Sequence, residues 1–548
     1  MDKMKQIIVV LLMVTGCTNG KDPPEKHASW TGLALPESHY KILMLLPVST
    51  PSHRVVFLSL AKGLADRGHK VVMLTNNNSS DDRLVTENVY EFSHGVEELH
   101  QINVEDNLAE MKWGVNDDHK ARMLEVFDRA TNKLYANAEI NELYRKRKRF
   151  DLIILHAEHN EVIFPFVHEM HFITIAPEGL DYRQSAQLGN PLNPAYVPFV
   201  YLTMASPMGL LQRVWNAWNH LAFSLYWDAY LPVPSFQKML LSKFPNLPPL
   251  SDIEKNQSLT LSNSHFSIGT PIPLLPSQVE IAGMQCCSKT GPLPHDLQEW
   301  IDESSNAGVI YINLGSFAPS SSMNNDYLPI LLEAFSRIRQ RVIWRYEDLP
   351  SLPKNVITRP WCPQQDILSH SKIKAFLTHG GLLSFQEAVY HGKPILAIPS
   401  TLEQTRNSKT IVEKGVGISI PKNELISADQ IVDGILDLLQ DNNKYQKNMA
   451  ELSASFRDQI HTPLDRAIFW TEYAIRNPGV AALKSPAAQL SWTEFLLLDI
   501  IAIFLVIIFL IPYLVSFIVK RCLAFVMRKL FRREELFSLP MSAKQKMN

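Results

Sequence analysis

Cysteine is scarce in this 548-residue chain, with five in all, and their positions exclude the structures that cysteine usually signals. Cys17 and Cys522 lie near the two ends, Cys286 and Cys287 are adjacent and poorly suited to bridging each other, and Cys362 stands alone, so no disulfide framework can be drawn. No Cys/His cluster has zinc spacing, and no metal site is expected. An excess of one charge is missing too: 53 Lys+Arg face 55 Asp+Glu, a net charge of -2, and nothing in that balance points to nucleic acid. The chain has no low-complexity tract and no repeat at solenoid periods. GxGxxG spacing is absent from the strand-to-helix turns that could carry it, which disfavours a dinucleotide-dependent dehydrogenase. What is left is a globular composition, 46% hydrophobic, with length enough for two ordinary domains and additional segments.

Both ends carry membrane signals. Residues 1–20 combine Lys3 and Lys5 with the apolar run IIVVLLMV and the small residues TGCTNG, the pattern of a secretory signal peptide. VTGC also resembles a bacterial lipoprotein box with Cys17 as the lipidated residue, but the opposite end argues against it. Residues 495–519 are apolar and long enough to span a bilayer as one transmembrane helix, with Asp499 near one end and Pro512 predicting a kink. Lys520, Arg521, Arg528, Lys529, Arg532 and Arg533 follow, so the tail 520–548 is expected to be cytosolic and the body luminal. Lys544 and Lys546 fit the KxKxx address that returns proteins to the endoplasmic reticulum. The expectation is a single-pass type I protein of the endoplasmic reticulum membrane. Asn77, Asn78 and Asn256 head sequons that a luminal location would expose to glycosylation, and Cys522 is placed for palmitoylation.

From Tyr40 the pattern reads strand (KILMLLPV), loop (STPSH), helix (RVVFLSLAKGLADRGH) and strand (KVVMLT), a βαβ unit. DLIILHA and FITIAPEG add strands, and the alternation predicts a parallel sheet covered on both faces. The aromatic-rich stretch 195–245 breaks the pattern and predicts helices over the first domain, serving either core packing or an apolar pocket or membrane-contacting face. A Pro-rich joint, TPIPLLP through GPLP, separates a first domain (40–282) from a second (293–480) with strands at VIYINLGS, RVIWRYE, NVITRPW, KAFLTHG and PILAIPS. The class is α/β.

The densest chemistry lies between Trp361 and Gln404. AFLTHGG reads as a strand (Ala375 to Thr378) ending in His379, Gly380 and Gly381, and SFQEAVYHG continues as a helix. A strand, a glycine turn and a helix N-terminus present unpaired N–H groups and a positive dipole end to an anion. The glycines let backbone approach a diphosphate, and His379 is placed to donate to it. Glu387, on the first turns of that helix, is near enough to accept from two ribose hydroxyls, and Trp361 offers a flat face to a base. Taken with their spacing, WCPQ, HGG, Glu387 and the EQ pair resemble the signature of the UDP-glycosyltransferase family, and HGGLLS resembles its invertebrate, particularly insect, members.

The resemblance covers roughly residues 40–480 and implies two facing Rossmann-like domains of the GT-B type, the second binding a UDP-sugar and the first the acceptor. It implies that Trp361 stacks on uracil, that Gln364 and Glu387 hold the ribose, that His379 and Ser384 meet the diphosphate with Ser316 as a second contact, and that Glu403 and Gln404 hold sugar hydroxyls. The bland alternative for Glu403 and Gln404 is a solvated loop pair. The chain departs from the family at Leu383, where Asn is frequent, and at Glu403, where Asp is usual.

Transfer to a hydroxyl needs a base. His53, in the loop after the first strand, lies at the carboxyl edge of the sheet, where imidazole chemistry is available near neutrality, and the resemblance makes it the general base. The family orients that base with a carboxylate at the end of its FDxxxxD strand; FDLIILHAEHNE has His156 there. Glu158, two residues on, is the candidate substitute, and Glu161 a more remote one. The function expected is transfer of a sugar from a UDP-sugar co-substrate to a small lipophilic hydroxyl compound with inversion, and no cofactor; the invertebrate resemblance implies glucose, while no residue singles it out over glucuronic acid. The competing reading is a non-catalytic membrane-anchored UDP-sugar binder or partner subunit; assembly as a homo- or hetero-oligomer is compatible with either.

Overall fold

The computed structural model describes residues 33–34, 36–47, 49–75, 89–93, 117–157, 161–199, 202, 204, 207–230, 232–286, 291–315, 327–347, 349, 351–421, 427–440 and 444–538. The expected signal peptide, Asn77, Asn78, Glu158, Ser316, Lys544 and Lys546 lie outside the described residues. Two wholly parallel sheets organise the body. The first has seven strands in the order β3-β2-β1-β4-β5-β6-β7: β1 Lys41–Leu46, β2 Lys70–Thr75, β3 Val89–Ser93, β4 Leu152–His156, β5 Phe172–Ala176, β6 Thr260–Ser262 and β7 Gln278–Glu280. The second has six in the order β10-β9-β8-β11-β12-β13: β8 Val309–Asn313, β9 Arg341–Arg345, β10 Val356–Arg359, β11 Ile373–Thr378, β12 Ile395–Ala397 and β13 Gly417–Ser419.

The central strands are apolar through their middles, with polar residues at their ends or edges, because helices cover both faces of the sheet. Along β1, Ile42, Met44 and Leu46 enter one core while Leu43 and Leu45 enter the other. The two-residue period repeats in β8, where Val309 and Tyr311 face one core and Ile310 and Ile312 the opposite one.

Six helices bear on the argument: α1 Pro51–Asp66, α2 Gln364–Ser369, α3 Leu382–Tyr390, α4 Leu402–Glu413, α5 Pro463–Arg476 and α6 Leu498–Ser538. Thr50 caps α1 by accepting from His53 N at 3.2 Å, and Pro51 occupies its first turn. The helix therefore starts before Arg54, and His53 belongs to its first turn instead of the loop expected for it. Late in the chain, α5 returns to α1: Ala467, Ile468 and Ala474 join the same core. Gly63 permits the approach, since a Cβ there would meet Ile468 Cδ1 at 2.8 Å. Glu472 accepts from Arg67 Nε at 2.6 Å and lies 3.0 Å from His69 Nε2, with its side chain only 4% exposed.

Within the stretch 195–245 helices form as expected, at Leu210–Leu225 and Pro232–Leu241 among others, but core packing does not explain the first of these. In Leu210–Leu225 the buried residues are Asn216, Asn219, His220 and Ala222, while Leu210, Leu211, Val214, Trp215, Trp218 and Leu221 are exposed. The polar side turns inward because Asn216 accepts from Phe199 N at 2.7 Å and donates to the Pro194 and Val197 carbonyls. The terminal helix α6 has 41 residues and contains, within Leu498–Arg532, an 18-residue stretch of mean hydropathy 3.0; the helix is long and apolar enough to cross a membrane. It contains Pro512 and rises about 60 Å at the usual pitch.

Glu472→Ala leaves Arg67 with only the Leu33 and Ala34 carbonyls and takes the carboxylate from His69, so stability should fall by about 1–3 kcal/mol. A thermal midpoint indistinguishable from wild type would show that the ion pair does not hold α5 to the first sheet.

Candidate active site

Parallel pairing brings the carboxyl ends of β1, β4 and β5 together, with His156 in register with Ile175. His53, one helix turn beyond β1, is buried, and its Nδ1 lies 2.9 Å from His156 Nε2. The two rings are near parallel, centroids 5.0 Å apart, and Phe57, the next turn of α1, backs His156 at 6.0 Å. The spacing that put residue 156 opposite the base is thus realised, with an imidazole in place of a carboxylate. Glu161 is elsewhere engaged: Trp227 Nε1 donates to it at 3.0 Å, and it borders the Arg183 guanidinium, which pairs with Asp228 and Glu254.

A carboxylate that sequence reading missed does reach His53. Glu178, in the turn after β5, places Oε1 3.4 Å from His53 Nε2. The available signal was positional: an acidic residue just past the carboxyl end of the strand adjoining β4, where open parallel sheets gather their ligands.

The second sheet gathers the expected donor-site residues around α3. Gly380 has φ +84°, and a Cβ there would meet Ser408 Oγ at 2.8 Å. At Gly381, the N-cap of α3, a Cβ would come 2.5 Å from His379 Nε2. The glycines are thus needed by the chain's own packing, one for a left-handed turn against α4 and the other because the His379 ring folds over it. His379 is pushed down to about 4, chiefly by burial, so it is neutral at pH 7; its Nδ1 is 3.2 Å from Thr378 Oγ1.

Gln364 opens α2 and links both sides of the sheet edge. Its Oε1 accepts from Asn313 Nδ2 at 2.6 Å, and its Nε2 donates to Glu387 Oε2 at 2.7 Å and lies 3.4 Å from Ser384 Oγ. Glu387 is buried on α3, and that burial pushes its carboxyl up to about 7 against the opposing hydrogen bond from Gln364. Asn313, at the end of β8, was not foreseen; the NLGS run held it without marking it as a link. Trp361, between β10 and α2, is 44% exposed.

Glu403 and Gln404 are not a solvated loop pair. Both occupy the first turn of α4, whose N-cap is Thr401. Gln404 Oε1 accepts from Ser400 N at 2.8 Å and Thr401 N at 3.2 Å. The longer reach of Glu403 lets its carboxylate accept from Leu382 N, the first residue of α3, at 3.0 Å, and from Asn407. Burial first, and the nearby Glu178 carboxylate second, hold Glu403 above the usual carboxylate range.

Gly380→Ala should destabilise the fold by about 1–3 kcal/mol, because left-handed strain adds to a contact with α4. Gly392, also left-handed at φ +67° but with nothing within 4 Å of its Cβ position, supplies the control. Equal losses of thermal midpoint in Gly380→Ala and Gly392→Ala would show that the α4 contact is immaterial.

The chain as a whole resembles known proteins. The profile of the UDP-glucoronosyl and UDP-glucosyl transferase family matches residues 41–535. UDP-glucosyltransferase 2 of Dactylopius coccus is 33% identical over 486 residues, covering 88% of this chain and 92% of that protein. Human 2-hydroxyacylsphingosine 1-beta-galactosyltransferase is 28% identical over 511 residues, covering 91% of each. Among solved structures, the calicheamicin glycosyltransferase CalG4 aligns with a TM-score of 0.55 at 16% identity, over 80% of this chain and 99% of that one, a likeness of fold. With its paired parallel sheets and C-terminal apolar helix, the chain belongs to the UDP-glycosyltransferase family and has the GT-B fold.

Proposed function

We propose that this glycosyltransferase moves glucose from UDP-glucose to the hydroxyl of a small lipophilic compound, with inversion at the anomeric carbon and His53 as general base. The observation that carries the reading is the placement of His53: a buried imidazole at the carboxyl edge of the first sheet, its Nδ1 engaged by His156 at 2.9 Å. For Nε2 to offer a lone pair, Nδ1 must carry the ring proton and donate it to His156 Nε2. The acceptor oxygen attacks the anomeric carbon from the face opposite the diphosphate. Its proton passes to His53 Nε2, the bond from carbon to the phosphate oxygen breaks, and UDP leaves with the electron pair.

On the donor side, Trp361 stacks on uracil, and Gln364 and Glu387 hold the ribose. His379, Gly380, Gly381 and Ser384 form the diphosphate cradle, to which Ser316 belongs by its position in the motif. Glu403 and Gln404 face the sugar. The neutral state of His379 suits it to donate one hydrogen bond without fixing a second positive charge beside the leaving group. Glucose is favoured by the insect relative's name, UDP-glucosyltransferase 2. The acceptor domain is 40–282 together with α5, which packs on its core, the donor domain is the remainder of 293–480, and no cofactor takes part.

The body is luminal in the endoplasmic reticulum, anchored by α6 with the basic tail in the cytosol. Support for a membrane-facing body comes from the apolar outer side of Leu210–Leu225. In sealed microsomes a tag after Asn548 should be digested by added protease while the body survives. A protected tag would reverse the orientation.

His53→Ala should lower turnover by about 100-fold or more while leaving UDP affinity intact. Glu387 adds a pH test. Its carboxyl is pushed up to about 7, so the charged form that accepts from ribose is present above that pH and lost below it. UDP-glucose should therefore bind more weakly at pH 6 than at pH 8 by calorimetry, and Glu387→Gln should flatten the difference. Undiminished turnover in His53→Ala would remove the base. A protein that binds UDP-glucose but transfers to no phenol, steroid or fatty alcohol would instead be the binder that His156 at the carboxylate position suggests.

A further inference from the structure

Three elements converge on one imidazole. His53 comes from α1, His156 from the end of β4 and Glu178 from the turn after β5. His156 engages Nδ1 at 2.9 Å but carries no negative charge when neutral. Glu178 Oε1 stands 3.4 Å from Nε2, on the side of the ring where the acceptor proton arrives, and its side chain is 22% exposed. The same carboxylate is near enough to Glu403 on α4 to help hold that carboxyl above its ordinary range.

We propose that Glu178 is a positioning residue that supplies, from the Nε2 side of His53, the negative charge that residue 156 does not. A carboxylate beside an unprotonated ring nitrogen gains little in the resting enzyme. As the acceptor proton moves onto Nε2, the ring becomes an imidazolium 3.4 Å from that carboxylate, and the attraction grows with the developing charge. An interaction stronger in the transition state than in the ground state lowers the barrier to the chemical step. No new covalent step is involved: the proton travels from acceptor to His53 as before, and Glu178 neither takes nor gives one. Partial exposure suits this role, since an acceptor hydroxyl must reach the same nitrogen.

The inference rests on His53 being the base, and the experiment separates the two. Glu178→Gln keeps the shape and removes the charge; kcat with UDP-glucose and a responsive phenol should fall by about 10- to 100-fold, with KM for UDP-glucose within about 2-fold. Glu178→Asp should recover part of the loss. In a His156→Asp background, where a carboxylate is restored at Nδ1, Glu178→Gln should cost less than about 3-fold, because either charge then steadies the imidazolium. An unchanged kcat in Glu178→Gln, or an equal loss in both backgrounds, would overturn the role of Glu178 while leaving His53 in place. Full turnover in His53→Ala would remove the base itself, and Glu178 with it.

Discussion

The chemistry available to this chain depends on a property of parallel pairing: every strand delivers its carboxyl end to the same edge of its sheet. Residues far apart in sequence, His53, His156 and Glu178, meet at one edge because β1 pairs with β4 and β4 with β5. Asn313, Gln364 and Glu387 meet at the corresponding edge of the second sheet, where β8 pairs with β11. A shift of one residue in either register would turn the strand-end side chain to the opposite face, and the continuous apolar cores on both faces oppose that slip.

Burial is the second constraint. It drives Glu387 up and His379 down, so that a carboxyl on α3 and an imidazole just before its N-terminus depart from their ordinary values in opposite directions, each toward its neutral form. The fixed charge at this edge is the Arg345 guanidinium, 3.5 Å from Asn313 Oδ1, and the diphosphate of a UDP-sugar would meet backbone N–H groups and a neutral imidazole. Glu403 is the exception in placement, since its carboxyl already accepts from the N-terminus of α3. Bound phosphate would compete with it for that helix end, a consequence of the methylene by which Glu exceeds Asp.

Much of this was legible beforehand. Long apolar runs such as KILMLL, LIILH and VIYIN announced β1, β4 and β8, and the strand, glycine turn and helix around His379 were read at nearly their observed bounds. Strands β3, β6, β7 and β13 were not foreseen: β3 mixes polar and apolar residues, and the other three run to only three residues outside a longer apolar run. His53 was placed in a loop because Thr50 and Pro51 were not weighed as a cap and a first-turn proline. Leu210–Leu225 reversed the usual rule, since its Asn and His side chains satisfy loop carbonyls and leave its leucines and tryptophans outside. Glu178 and Asn313 escaped for a different reason: their partners lie at long sequence separation, and only the sheet order brings them close.

The central claim is that a base at the edge of the first sheet drives a single in-line displacement on a sugar held by the second. The most direct measurement is the anomeric configuration of the product formed from UDP-glucose labelled with carbon-13 at the anomeric position, read by NMR before any other enzyme acts on it. A β-linked glucoside is the predicted result. An α-linked product, or release of free glucose with no transfer to the acceptor, would contradict it.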